Sequence, residues 1–324
     1  MRHLITLFEI SQQELHTILS LSQQIKQLLV AGRRPPWLAR RVLAMLFEKP
    51  SLRTRVSFEA GILQLGGAAM FLGQEVGWQS RESTGDFIRV LAEYADVVVC
   101  RAKKHASVED LASYDCVPVI NGLTDLSHPC QALADLLTMQ EITGPLTGRT
   151  MTFVGDGNNV ARSLALAAAM VGMRFRLLGP ADYFMGENWI KQIRGSYPSA
   201  DIEQATDPRI ALAEADFVYT DVWTSMGQEQ EAAERRSIFC QFQLNAQLMR
   251  HAPPRAKVMH CLPAHRGEEI TDEVIDSSQS AIVAQAGNRM HAQKGLLVWM
   301  GLQHDWLGAE CLESEGIELP VGIS

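Results

Sequence analysis

Val42-Leu43-Ala44-Met45-Leu46-Phe47 is an unbroken apolar run, and Glu48-Lys49-Pro50-Ser51-Leu52-Arg53-Thr54-Arg55 follows it directly. A strand buried on both faces reads as such a run, whereas a half-solvated strand alternates. Pro50 cannot continue the ladder, and Ser51 is placed to cap a helix. Strand, turn and capped helix form the unit from which parallel sheets are built. The pattern recurs, with apolar runs at 69–72, 97–100 and 117–120 that each lead into a helical pattern. The spacing predicts a parallel sheet covered by helices on both faces.

Upstream, Ser11-Gln12-Gln13-Glu14 is a capping box. Leu15, Ile18, Leu19, Ile25, Leu28 and Leu29 then recur with helical spacing until Gly32, Pro35 and Pro36. Downstream, a second series of strands is expected at Thr150–Val154, Arg174–Leu178, Phe217–Thr220, Lys257–His260 and 281–284. A helical segment at 129–142 separates the two series and runs into Gly144-Pro145-Leu146-Thr147-Gly148. The boundary is placed in that Gly/Pro stretch. A length of 324 residues suits two domains, so the expected fold is α/β, with two doubly wound parallel-sheet domains at 1–145 and 146–324. The last helix, expected at 288–306, is rich in apolar residues (Leu296, Leu297, Val298, Trp299, Met300) and is expected to pack back on the first domain.

Composition narrows the function. The formal charge is −8 and no Lys/Arg-rich stripe recurs, which argues against nucleic acid or an anionic membrane as partner. An anionic small molecule must then be held by a local cluster of arginines. No stretch approaches the roughly 18 apolar residues of a membrane span, and Met1-Arg2-His3-Leu4-Ile5-Thr6 does not resemble a secretory signal. The expected compartment is the cytoplasm. Cys100, Cys116, Cys130, Cys240, Cys261 and Cys311 form no CxxC pair and read as free thiols. His260 and His265 flank Cys261 without an HExxH pattern, and no metal is expected.

In doubly wound sheets ligands bind beyond the carboxyl ends of the strands, and that is where the chemically capable residues fall. The turn at Ser51 brings free N–H groups, hydroxyls and a guanidinium to a helix N-terminus. It is either an anion site or an ordinary capped helix with a basic first turn. Arg101 follows the third apolar run. His128-Pro129-Cys130-Gln131 opens the next helix, with Pro129 suited to its first turn, and His128 is either a cap or a ligand residue. Gly155-Asp156-Gly157-Asn158-Asn159 invites a dinucleotide reading. Val160 stands where a third glycine belongs, and Leu178-Gly179-Pro180 brings no acid for a ribose, so NAD is rejected. A GxxxxGK[ST] loop for ATP is also missing. Asp221 in Asp221-Val222-Trp223-Thr224-Ser225-Met226-Gly227 is either a turn cap or the partner of an amine. In His260-Cys261-Leu262-Pro263 the thiol is either a nucleophile or a small buried filler.

Together these stretches resemble the aspartate/ornithine carbamoyltransferases, in order and spacing and over essentially the whole chain. Asp-x-x-x-Ser-Met-Gly and His-Cys-Leu-Pro are typical of the ornithine branch. The resemblance implies two α/β domains with the active site between them. It also implies a homotrimer, or a multiple of trimers, in which a loop from a neighbouring subunit helps close the site. It makes Ser51, Leu52 (through its backbone), Arg53, Thr54 and Arg101 the phosphate cradle. His128, Gln131, Cys261, Leu262 and Arg289 surround the carbamoyl group, and Asn159, Asp221, Ser225 and Met226 hold ornithine. Thr54, Arg101, His128 and Cys261 are the expected catalytic residues. Carbamoyl phosphate is already an activated mixed anhydride, so no cofactor is expected.

Two departures matter. Leu52 stands where the ornithine branch commonly has Thr, which removes a hydroxyl but keeps the backbone N–H. Gly77 aligns with the mobile-loop glutamine, and Gln74, Trp78 and Gln79 lie nearby. Relatives that use N-acylated ornithine insert a tryptophan from this loop, so the expected alternatives are another amine (acylated ornithine, putrescine, lysine) or a non-catalytic paralogue. Between Gln79 and Trp78, the ornithine-type residues favour Gln79 as the loop contact.

Overall fold

The computed structural model describes residues 1–224 and 229–319. The chain divides into two compact units: Met1–Leu137 with the chain from Asn288 onward, and Thr138–Gly287. The division falls inside the helix Pro129–Thr143, ahead of the Gly/Pro stretch at 144–148. Glycine and proline end that helix, but packing decides where a unit ends, and a helix can run from one unit into the next.

The first unit opens with α1 (Gln12–Val30), where Ser11 Oγ accepts from Glu14 N and the Glu14 carboxylate accepts from Ser11 N. Then follow β1 (Val42–Phe47), α2 (Leu52–Gln64), β2 (Ala68–Leu72), α3 (Thr84–Ala92), β3 (Val97–Arg101), α4 (His105–Ser113), β4 (Val119–Leu123) and α5 (Pro129–Thr143). The four strands are parallel in the order β2-β1-β3-β4. β4 begins later than the apolar run 117–120 predicts, because Pro118 has no N–H for the ladder and only its carbonyl accepts, from Val98 N. Ala44, Leu46, Val98, Cys100 and Val119 carry the sheet side of a core that Ile88, Leu91, Val108 and Leu111 complete from α3 and α4.

The second unit contains β5 (Thr150–Val154), α6 (Asn159–Val171), β6 (Arg174–Leu178), α7 (Glu187–Ser196), β7 (Ile202–Ala205), α8 (Pro208–Ala211), β8 (Phe217–Thr220), α9 (Ala232–Phe239), α10 (Ala246–Met249), β9 (Lys257–His260) and α11 (Asp272–Ile275). Its five parallel strands run β7-β6-β5-β8-β9. The edge strand β7, Ile202-Glu203-Gln204-Ala205, was not expected, since only Ile202 is buried and the sequence reads as polar. The run 281–284, expected as a strand, is a correction. Ser280 makes a single bridge to Val258, after which α12 (Ile282–Gln303) begins, leaving Val283 85% exposed. A four-residue apolar run cannot separate strand from helix by period. From Asn288 the chain belongs to the first unit, which also holds α13 (Ala309–Glu313). Among the described residues no helix is long and apolar enough to cross a membrane.

Both sheets reverse direction at an internal point. In the first unit, β2 lies to one side of β1 and β3 to the other; in the second, β6 and β8 flank β5 in the same way. Helices leave such a pair of strands on opposite faces and open a crevice at the strands' carboxyl ends.

Within the first unit, α12 approaches α1 as closely as a backbone can. A Cβ on Gly295 would lie 2.1 Å from Ser22 Oγ, 2.7 Å from the Ile18 carbonyl oxygen and 2.8 Å from Ser22 N. Gly295→Ala is therefore expected to destabilise by about 1–3 kcal/mol through overpacking. Gly195→Ala, in α7 with open space around it, is expected to be neutral or stabilising by up to about 1 kcal/mol. Urea unfolding midpoints of the two variants check this, and equal midpoints contradict the close approach.

Candidate functional site

The first unit gathers a cationic cluster at its switch point. Ser51 caps α2, its Oγ accepting from Thr54 N at 3.3 Å and donating to Thr54 Oγ1 at 3.0 Å. The same Thr54 hydroxyl accepts from Arg289 Nη2 at 2.9 Å and from Arg101 Nη1 at 3.5 Å. Thr54, Arg101 and Arg289 are all buried. Arg101 ends β3, beside the end of β1, and Arg53 stands half-buried in the first turn of α2. Two buried guanidinium groups thus meet at the positive end of a helix, where an anion is favoured. The other arginine of the motif is not part of this cluster: Arg55 pairs with Glu59 and lies over the Phe71 ring at 4.0 Å. Leu52 offers only its backbone, since its side chain is 73% exposed.

His128 and Gln131 complete the cluster from the start of α5. Arg289 Nη1 donates to the Gln131 amide oxygen and points at His128 Nε2 from 3.5 Å, and Gln131 Nε2 donates to Asp135 at 2.8 Å. The amide of Gln131 is thereby fixed in orientation. Burial holds the His128 pKa well below the ordinary histidine value, and Arg289 and Arg101 push it in the same direction. The ring is neutral at pH 7, and its Nε2 faces the Arg289 guanidinium.

The second unit gathers an anionic cluster at its own switch point. Asn158 caps α6 and donates from Nδ2 to Asp221 Oδ2 at 2.9 Å. Cys261 Sγ donates to Asp221 Oδ1 at 3.0 Å. In this contact the thiol serves as a hydrogen-bond donor to the carboxylate. Leu262 has φ +58, and its N–H donates to His260 Nδ1 at 2.8 Å. His260 Nε2 lies 3.0 Å from Glu269, and both side chains are fully buried. This pair was not expected to act beyond its motif; it fixes the turn that presents Cys261 and the Leu262 carbonyl. Asn158 was also passed over in favour of Asn159, whose side-chain oxygen accepts from Val160 N. Only the choice of cap could have revealed it. Ser225 and Met226 lie outside the described residues.

Asp221, His260 and Cys261 offer donor atoms within 4.8 Å of one another. Both ring nitrogens of His260 are engaged by Leu262 and Glu269, so the imidazole is not presented to a cation. A separate cavity of about 600 Å³ opens at the amino ends of β5 and β6, away from these residues, and its arginines face Glu214 and Asp216.

In the loop after β2, Trp78 is packed in the first unit's core, whereas Gln79 is exposed with φ +64.

Residues 2–141 match the family described as aspartate/ornithine carbamoyltransferase, carbamoyl-P binding domain, and residues 147–300 match its Asp/Orn binding domain. The chain is 49% identical over 297 residues to the ornithine carbamoyltransferase of Anoxybacillus flavithermus, covering 91% of this chain and 95% of that one. It is 46% identical over 299 residues to that of Thermococcus kodakarensis, covering 91% and 95%. The solved structure of ornithine carbamoyltransferase from Pyrococcus furiosus superimposes with a TM-score of 0.88 at 47% identity, covering 92% of this chain and 96% of that one.

The neutral His128 has a consequence for stability. In the unfolded chain the ring takes up a proton near pH 6.5, whereas in the folded protein it does so only at lower pH. Between these values the unfolded state binds more protons, so stability falls as pH falls. Urea unfolding from pH 7 down to 5 is expected to show this loss. His128→Gln should reduce its slope, by at most about 1.4 kcal/mol per pH unit. An unchanged slope contradicts the buried neutral ring.

Proposed function

The chain belongs to the aspartate/ornithine carbamoyltransferase family, and from that premise we propose that it transfers the carbamoyl group of carbamoyl phosphate to the δ-amine of L-ornithine, giving L-citrulline and phosphate. The observation that carries the reading is the convergence of Arg101 and Arg289 on Thr54 at the N-terminus of α2. Carbamoyl phosphate is an anion, and bidentate guanidinium groups suit phosphate oxygens. The backbone N–H groups of the first turn, with Ser51, Leu52, Arg53 and Arg101, form the phosphate cradle.

Thr54, Arg101 and His128 are the donors to the carbamoyl carbonyl oxygen. Gln131 and Arg289, with Cys261 and the Leu262 carbonyl, meet the carbamoyl nitrogen and its surroundings. Asp221, with Asn158, Asn159, Ser225 and Met226, takes ornithine, a net cation at neutral pH. The neutral δ-amine attacks the carbonyl carbon and a C–N bond forms. Charge collects on the carbonyl oxygen, then the C–O bond to phosphate breaks. The amine gives up one proton, and the departing phosphate accepts it. Cys261 orients the amine and forms no bond to the carbamoyl carbon.

We place the enzyme in the cytoplasm and read it as a homotrimer or a multiple of trimers. Support for self-association comes from Leu52, Val56 and Leu63, exposed on α2, next in the chain to the half-exposed strand β2. The packing of Trp78 in its own unit's core supports Gln79 over Trp78 as the loop contact. Gln79 takes the place of the glutamine that Gly77 lacks, from a neighbouring subunit.

Two outcomes check this reading. Across ornithine, N-acetylornithine, putrescine and lysine, carbamoyl transfer is expected to be fastest with ornithine. Asp221→Asn should raise the KM for ornithine at least about 10-fold, a lost charged partner being worth about 1.5–3 kcal/mol, with the KM for carbamoyl phosphate little changed. Equal changes in both constants return Asp221 to a turn cap. Gln79→Ala is expected to raise the KM for carbamoyl phosphate several-fold. If instead Trp78→Phe does so and N-acetylornithine turns over faster than ornithine, both the loop assignment and the substrate fail.

A further inference from the structure

The second unit also holds a charge pair, Arg235 with Asp156, which the chemistry above does not use. Arg235, on α9, is buried. Its Nε donates to the carbonyl oxygen of Trp223 and its Nη2 pairs with the Asp156 carboxylate. The guanidinium carbon also lies 5.0 Å from the centroid of the Tyr183 ring and 5.3 Å from that of Phe239. Those two rings meet edge to face at 4.8 Å, and Phe239 stacks on Trp223 at 6.3 Å. Tyr183 in turn accepts from Gly157 N through its carbonyl at 2.7 Å.

Asp156 and Gly157 lie in the turn after β5, and Trp223 lies in the turn after β8, two residues beyond Asp221. These are the two turns that flank the second switch point. Among the described residues, Asn158 ties them together through Asp221 at 2.9 Å, and Arg235 ties them through Asp156 and Trp223. The second tie is the stiffer, because a planar guanidinium with donors in a fixed fork engages two acceptors at once. We infer that Arg235 is a positioning residue for the amino-acid subsite, a clamp from Asp156 to the Trp223 carbonyl that sets where Asp221 and Trp223 stand. The inference rests on the reading of Asp221 as the ornithine carboxylate.

Charge gives the clamp a second task. Burial raises the pKa of Asp156, Arg235 opposes that rise, and neighbouring Asp221 adds to it. Without Arg235 the half-buried Asp156 carboxylate would lose its paired guanidinium near Asp221. Breaking one side of a buried pair is far more damaging than replacing both sides with neutral groups. Position and charge can therefore be separated by which of them a double variant restores.

The experiment compares wild type, Arg235→Met, Asp156→Asn, the double variant and Arg235→Lys, with KM for each substrate, kcat and thermal midpoint. Arg235→Met is expected to raise the ornithine KM between about 10-fold and about 100-fold, the scale of a small misplacement of a ligand group. The carbamoyl phosphate KM should stay within about twofold. The double variant should regain thermal stability but not ornithine affinity, because the Trp223 carbonyl remains unheld. Arg235→Lys keeps the charge, loses the fork and should fold even if the Met variant does not; it is expected to raise the ornithine KM several-fold. Recovery of both stability and ornithine KM in the double variant makes Arg235 a stabilising charge only and overturns the clamp. So does an unchanged ornithine KM in Arg235→Lys or Arg235→Met while Asp221→Asn raises it. An unchanged ornithine KM in Asp221→Asn as well overturns the subsite reading along with the clamp.

Discussion

The hydroxyl of Thr54 is the point on which the first unit's chemistry turns. It sits in the first turn of α2 and takes hydrogen bonds from the cap Ser51, from Arg101 at the end of β3, and from Arg289 on α12. Three segments far apart in the chain are thus registered against one oxygen. The arrangement is costly without a ligand. Like charges a few ångströms apart repel by on the order of a few kcal/mol even at an intermediate dielectric, and the helix dipole opposes cations at its N-terminus. An anion relieves both terms together. Burial, and after it the same positive field, keeps His128 neutral.

The second unit applies the same topology with the opposite charge. There the residues at the reversal of strand order are Asp221, Asn158 and Cys261, and the ligand they suit is a cation. Asp221 has its two oxygens occupied by a thiol and an amide, both weak or neutral donors that an ammonium group can outcompete. A guanidinium in direct contact with Asp221 would have cancelled that capacity. The nearby Arg235 is spent on Asp156 and on a backbone carbonyl instead.

What the sequence disclosed follows from the range of the forces involved. Unbroken apolar runs such as Val42–Phe47 report burial on both faces and were legible, as were the caps Ser11 and Ser51, because each depends on neighbours within a few residues. β7 was not legible, since an edge strand needs one buried residue and takes its hydrogen bonds from a partner the local sequence does not reveal. The start of α12 was mistaken for a strand for a related reason: four apolar residues carry no period. The chain's return to the first unit at Asn288 is a packing fact, with Gly295 its visible trace once α1 is known to lie against it. At the site, residues directly after strands stood out by position. Arg289 came only through family resemblance, and Asn158, Glu269 and Arg235 act through partners that no spacing in the sequence brings together.

The state of these groups bears on how the rate is achieved. The Cys261 thiol donates to Asp221, and the buried His128 ring is neutral. What they provide is fixed donors and fixed orientation. Holding two reactants in line supplies about 7–11 kcal/mol, and each preorganised donor at a developing oxyanion adds roughly 2.7–4 kcal/mol. Two or three such donors with good alignment already reach the range of about 8–23 kcal/mol by which enzymes lower barriers. Since the anhydride bond of carbamoyl phosphate carries its own driving force, a covalent intermediate on Cys261 would add a second barrier without removing the first.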